Sequence, residues 1–201
     1  MSRNTRALRT PAALLAATVA TATLATGALL PAPAHAAITL DCTGGPVTID
    51  GSTEDYVLTG ACTTVILNGS NLNVSLPSAT SLMITGANVR VAAAGAVGSV
   101  DVMGSNSSVA ATAATSARVD ASNVVLRIPA LDRAVVVGST NRVVADQGAR
   151  VKVRGSNNVV KYRALRKVVV RGSNNKVRVR TGTTKVRVTG ANNVVRVHRR
   201  G

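Results

Sequence analysis

The sequence predicts an all-β fold, a β-solenoid of about nine coils of 17–18 residues with two short strands per coil, on three observations. A Gly-Ser-x-Asn-like turn returns at a fixed period, and aliphatic residues alternate with polar ones on both sides of it. The 201 residues contain no Phe, no Trp and only two Tyr, so the core must be thin and aliphatic. A repeat too small to bury its own apolar face has to stack on copies of itself, and its period decides the fold before local propensity does.

The first element is an export signal. Residues 1–36 carry Arg3, Arg6 and Arg9, an apolar run from Ala12 to Leu30, then Pro31 and Pro33 before Ala34-His35-Ala36. A basic start, an apolar middle and an Ala-x-Ala site are the parts of a secretory signal peptide, cleaved here after Ala36. Residues 37–201 read as a single repeat domain with no apolar run of about 20 residues and so no transmembrane anchor. Cys42 follows Thr39, Leu40 and Asp41 rather than a lipobox, so no lipid anchor is expected. The expected product is secreted, either extracellular or associated with the cell envelope.

Cys42 and Cys62 are the only cysteines. In an oxidising exterior the pair reads as a disulfide, which contributes about 3 kcal/mol for a loop of this size in the chain-entropy model. Two thiols and the distant His198 do not make up a metal ligand set, and no cofactor is expected.

The repeat then sets the register. Nine anchors, Gly51, Gly69, Gly86, Gly104, Ala121, Gly138, Gly155, Gly172 and Gly190, stand 17 or 18 residues apart. Two positions after each anchor the residue is Asn in seven coils of nine. Aliphatic columns flank the turn: Val153, Val170 and Val188 two before the anchor, Val160, Val177 and Val195 five after it. In Lys176-Val177-Arg178-Val179-Arg180 the valines point one way and the charges the other. Gly at the anchor suits a turn that Cβ would oppose, and stacked Asn side chains can bond to turn backbone or to one another. Nine coils at about 4.8 Å per stacked strand make a rod roughly 40 Å long. The same alternation fits an antiparallel β meander closed into a sandwich or barrel, which stays open as the alternative. Residues 92–117, with Ala93, Ala111, Ala113, Ala114 and Ala117 at positions where larger groups fit, are the expected weak stretch.

The last third, 150–201, holds sixteen Lys or Arg and no Asp or Glu, whereas residues 37–149 hold five bases and eight acids. In the stacked register Lys161, Arg178 and Arg196 share one outward column, Arg163, Arg180 and His198 another, and Lys152 and Arg187 a third, interrupted by Val169. Unit charges about 5 Å apart repel by about 0.8 kcal/mol in water, and a polyanion would relieve that repulsion.

Together the signal peptide, the early Cys pair and the Val-x-Val-x-Gly-Ser-Asn-Asn-x-Val turns resemble a secreted, mainly actinobacterial family, domain of unknown function 3060. The best matches are Gly155-Ser156-Asn157-Asn158-Val159-Val160, Gly172-Ser173-Asn174-Asn175-Lys176-Val177 and Gly190-Ala191-Asn192-Asn193-Val194-Val195, with a looser fit from Ala92 to Arg133. The resemblance implies a secreted, solenoid-like domain and brings no activity and no functional residues.

Enzyme chemistry finds little footing. His198 is the only histidine after the signal, there is no Gly-x-Ser-x-Gly elbow, and Asp101, Asp120, Asp132 and Asp146 fall in different columns. The expected function is therefore non-enzymatic: extracellular or envelope-associated binding of an anionic polymer through Lys152, Arg154, Lys161, Arg163, Arg171, Lys176, Arg178, Arg180, Lys185, Arg187 and Arg196. The partners in view are an anionic cell-wall polymer or an anionic lipid surface. Sequence-specific nucleic-acid reading is not expected, since Tyr56 and Tyr162, the only aromatics, sit in inward columns. A structural or protein-interaction rod, with charge serving solubility and edge protection, is the alternative. A polysaccharide hydrolase or lyase is the remote one.

Overall fold

A computed structural model describes residues 36–43 and 45–198. Apart from Ala36 the expected export signal, residues 1–36, lies outside the described residues, as do Arg199, Arg200 and Gly201. The strands in chain order are β1 (Ile38–Asp41), β2 (Val47–Ile49), β3 (Asp55–Thr59), β4 (Cys62–Leu67), β5 (Asn73–Leu76), β6 (Ala79–Ile84), β7 (Arg90–Ala93), β8 (Ala96–Val102) and β9 (Ser108–Ala110). They continue with β10 (Ala113–Asp120), β11 (Val125–Arg127), β12 (Ala130–Val137), β13 (Arg142–Arg154), β14 (Val159–Arg171), β15 (Lys176–Thr181), β16 (Lys185–Thr189) and β17 (Val194–Arg196).

Each residue of a strand pairs with the one a full coil away, not with the residue facing it across the turn. Val143 stands beside Val160, Val160 beside Val177, and Val177 beside Val195, one repeat apart each time. Every pairing among the described residues is parallel. A meander joins neighbouring strands antiparallel, so the solenoid, of about nine turns, is the fold.

Two stacks of strands enclose one core. The stack entering each turn contains β2, β4, β6, β8, β10 and β12, the second halves of β13 and β14, and β16. The stack leaving it contains β1, β3, β5, β7, β9 and β11, the first halves of β13 and β14, then β15 and β17. Alternation turns one residue in two of each stack inward, where Leu67, Leu82, Ile84, Leu126, Val136, Val153 and Val170 are buried in a single cluster. Tyr162 and Tyr56 are inside as expected, only 2% and 8% exposed. Ala93, Ala111, Ala114 and Ala117 are buried too, and they supply less apolar surface per rung than the Val and Leu elsewhere.

The expected two short strands per coil hold everywhere among the described residues except at β13 and β14, which correct that expectation. Breaks at Pro77-Ser78 and Pro129 separate entering from leaving strands, since proline cannot donate to a ladder. β13 and β14 instead run 13 residues each through both stacks.

Cys42 and Cys62 are joined, with sulfurs 2.02 Å apart. The bridge ties the end of β1 to the start of β4 and so clamps the first coil to the next.

The left-handed conformation falls two residues after the anchor in every coil, and at the Gly anchor itself in the coils of Gly138, Gly155, Gly172 and Gly190. All nine residues two after the anchor have φ between 54° and 63°: seven Asn, plus Thr53 and Thr140. Asn visits that region with little penalty, which accounts for the column. The side chains also stack, Asn88 Nδ2 donating to Asn71 Oδ1 and Asn123 Nδ2 to Asn106 Oδ1, both at 3.1 Å.

Candidate anion-binding site

Strand alternation carries the basic residues outward, and the stacking sorts them onto two sides of the rod. Lys152, Arg154, Arg171, Lys185 and Arg187 stand on the entry side. Lys161, Arg163, Lys176, Arg178, Arg180 and Arg196 stand on the exit side. The eleven candidates therefore make two surfaces. On the exit side Lys161, Arg178 and Arg196 form the expected ladder, each the register partner of the next.

The entry side holds a column that sequence reasoning passed over. Five residues before the anchor, Arg133 pairs with Arg150, Arg150 with Lys167, and Lys167 with Lys185. Its signal was present: the same column reads Thr64, Ser81, Ser99 and Ser116 in the preceding coils, so hydroxyls give way to cations at one step. Ser99 donates to Ser81 across the rung at 3.2 Å, a bond that cations in the later rungs cannot make with each other.

This column turns the break at Val169 into a hollow. Val169 pairs with Lys152 on one rung and Arg187 on the next, while Lys167 and Arg171 flank it in its own strand. Arg150 and Arg154 stand beside Lys152, and Lys185 and Thr189 beside Arg187. Seven of the eight outward positions around this half-buried valine are therefore Lys or Arg. The depression is about 190 Å³ and is floored by Val169. On the exit side the corresponding centre is Arg178, and a more open hollow of about 400 Å³ lies beside it, lined by Arg178, Arg180, Arg196 and His198.

Three ion pairs form among the described residues: Arg118 with Asp120 at 2.7 Å, Arg133 with Asp132 at 3.6 Å and Arg163 with Asp146 at 3.9 Å. Arg163 is thus the one member of the eleven with a described carboxylate in reach, and both sides present bare positive charge.

Other chemistry is sparse among the described residues. No three His, Cys, Asp or Glu come together as a metal site, and no helix is long and apolar enough to cross a membrane. A groove of about 690 Å³ along the corner opposite the Gly turns holds one carboxylate, Asp132, with Arg163 and Arg166. Below it Tyr162 donates to the Leu131 carbonyl at 3.4 Å. Burial, with a smaller effect of Asp132, pushes the Tyr162 phenol well above its ordinary range, so it stays neutral. Asp101 has one buried oxygen without a hydrogen-bond partner, its rung neighbour Arg118 having turned to Asp120.

Comparison of the chain with family models, curated proteins and solved structures finds no match.

Proposed function

We propose that the chain is a secreted, non-enzymatic protein that binds an anionic polymer outside the cell through the basic sides of its C-terminal coils. The observation that carries this reading is the set of unpaired cation ladders. Like charges are stacked rung on rung, and ten of the eleven candidates have no described carboxylate to neutralise them. A polymer with regularly placed negative charge would relieve that repulsion and release counterions. Phosphorylated or teichoic-acid-type wall polymers are the partners this surface suits, and an anionic lipid surface is the rival the test includes. The Cys42–Cys62 bridge fits an oxidising exterior. The resemblance to the secreted domain of unknown function 3060 belongs to the same proposal. Base stacking on single-stranded nucleic acid has no platform, because both tyrosines are buried.

A second reading has its own support. In the last described coil Val186 and Val188 are 43% and 41% exposed, and Lys185, Arg187 and Arg196 stand beside them. Charge at an open sheet end blocks edge-to-edge pairing, so the protein on this reading is a rod with a protected end.

Binding of the mature protein to teichoic acid and to anionic vesicles across a salt series separates the two. Lys152, Lys167 and Arg187 are changed to Ser in one variant, Lys161, Arg178 and Arg196 in another. Polymer binding that falls steeply with salt and weakens in at least one variant supports the proposal. No binding at physiological salt, or binding indifferent to both variants, leaves the rod.

A further inference from the structure

We infer that the hollow over Val169 is a seat for one compact phosphoryl group carrying at least two negative charges, of the phosphomonoester or diphosphate class. The inference rests on the anion-binding reading and narrows it to one side and one chemistry.

In a parallel stack, outward side chains of one column are about 4.8 Å apart along the rod, and alternate residues of one strand about 6.6 Å apart across it. A lattice of that mesh filled with long cationic side chains leaves little space between them. Replacing the central cation by valine opens a space and keeps its neighbours. Lys152 and Arg187 close it along the rod, Lys167 and Arg171 across it, and Arg150 and Arg154 complete the rim toward β12. An anion placed there is close to all six at once, where an anion over a continuous ladder meets only those beneath it. The six have no described carboxylate in ion-pair distance, so nothing has to be displaced except water and counterions.

The donor set selects the charge. Four of the six are Arg, whose planar forks match the paired oxygens of a phosphoryl group. A carboxylate offers two oxygens and one charge and would leave most of the rim unmatched. A phosphodiester within a polymer also carries a single charge. The seat therefore favours the doubly charged ends of phosphorylated chains, or condensed phosphates, over carboxylate polymers of equal length.

The test is calorimetric titration of the mature protein with inorganic pyrophosphate at physiological salt, with poly-glutamate at low salt as the carboxylate control. Val169→Phe fills the hollow without changing charge, and Val169→Ala leaves it open. The expected result is that Val169→Phe binds pyrophosphate at least about tenfold more weakly, because several Coulomb contacts lengthen together. Val169→Ala should bind it as the parent does, and all three proteins should hold poly-glutamate equally, which also shows that the variants are folded. Parallel titrations with short-chain polyphosphate and with phosphatidic-acid vesicles identify whether the group arrives on a chain or a lipid. Pyrophosphate binding unchanged in Val169→Phe overturns the seat and leaves the polymer reading standing. Absence of binding to any of these anions overturns both.

Discussion

The coils before Ala121 and those from Gly138 onward share a period and a Gly column, yet they turn differently. In the first group the anchor N–H donates backward: Gly69 to the Ile49 carbonyl, Gly86 to Leu67 and Gly104 to Ile84, each at 3.1 Å. In the second it donates forward: Gly138 to Arg154, Gly155 to Arg171 and Gly172 to Thr189, again at 3.1 Å. The peptide has flipped, and the flip needs φ of +130° at Gly155, a region L residues avoid. At Gly69 φ is ordinary, and Gly is needed because a Cβ would run into the Gly51 carbonyl one coil below. The same crowding recurs at Gly155 and Gly172, so the late coils add a demand on φ to a demand for space that both groups share.

The residue three after the anchor changes with the flip. In the early coils Leu72 and Val89 fill it with apolar side chains and Ser107 with a buried hydroxyl, whereas Asn141, Asn158 and Asn175 are buried there in the late ones. Each late Asn reaches back to an anchor carbonyl, Asn158 Nδ2 to Gly138 at 3.0 Å and Asn175 Nδ2 to Gly155 at 2.8 Å. Its oxygen accepts from the backbone one coil below, as Asn158 Oδ1 does from the Asn141 N–H at 2.9 Å. This polar spine begins at the level where the cation ladders begin, near Arg133 and Arg142. The spine and the ladders act in opposite directions on the same coils. Each rung of like charge pushes coils apart by under about 1 kcal/mol in water, and each rung of the spine adds hydrogen bonds with a net worth of about 1 kcal/mol apiece.

Moving an amide from the late coils into the early ones should do the most damage. Leu72→Asn puts it into an apolar position and should cost about 3–5 kcal/mol. Removing the bridge with Cys42→Ser and Cys62→Ser should cost about 3 kcal/mol, felt at the N-terminal coils, where no Asn spine substitutes for it. Asn158→Leu leaves the Gly138 carbonyl and the Asn141 N–H without these partners, for roughly 2–3 kcal/mol. Denaturant titration of the three variants checks the order, and a neutral Asn158→Leu would show that the spine does not hold the late coils together.

Raising salt from low to physiological should stabilise the late coils and leave the early ones nearly unchanged, by about 0.5 kcal/mol or less per exposed pair. Local melting followed by hydrogen exchange reads this. The last effect, absent at neutral pH, concerns Tyr162. Because burial keeps its phenol neutral in the folded chain, the unfolded chain loses that proton first, at the ordinary value of about 10. Stability is therefore intact below that pH and falls as pH climbs past it. Tyr162→Phe should flatten the alkaline limb of the stability curve, and an unchanged limb would show that the phenol contributes nothing.

Much of this fold was legible in the sequence because a solenoid writes its register as a period. The inward columns and the Lys161, Arg178, Arg196 ladder follow from counting 17 or 18 residues, and the disulfide from the one cysteine pair of a chain expected outside the cell. The two turn types were not legible, since Gly satisfies both a flipped peptide and a crowded one. The burial of the second Asn was signalled only by its replacing Leu72 and Val89 in column. Charge content alone hid the division of the basic residues between two sides. The hollow at Val169 needed three columns in register at once, and the Arg150, Lys167, Lys185 column completes it.

Whether the basic coils are the binding surface is decided by hydrogen exchange of the mature protein with and without a phosphorylated polymer at physiological salt. Binding to the basic sides predicts added protection in the strands from Arg142 to Arg196, strongest in β14 around Val169, with β2 to β8 unchanged. Protection spread evenly along the rod, or confined to the early coils, would contradict it.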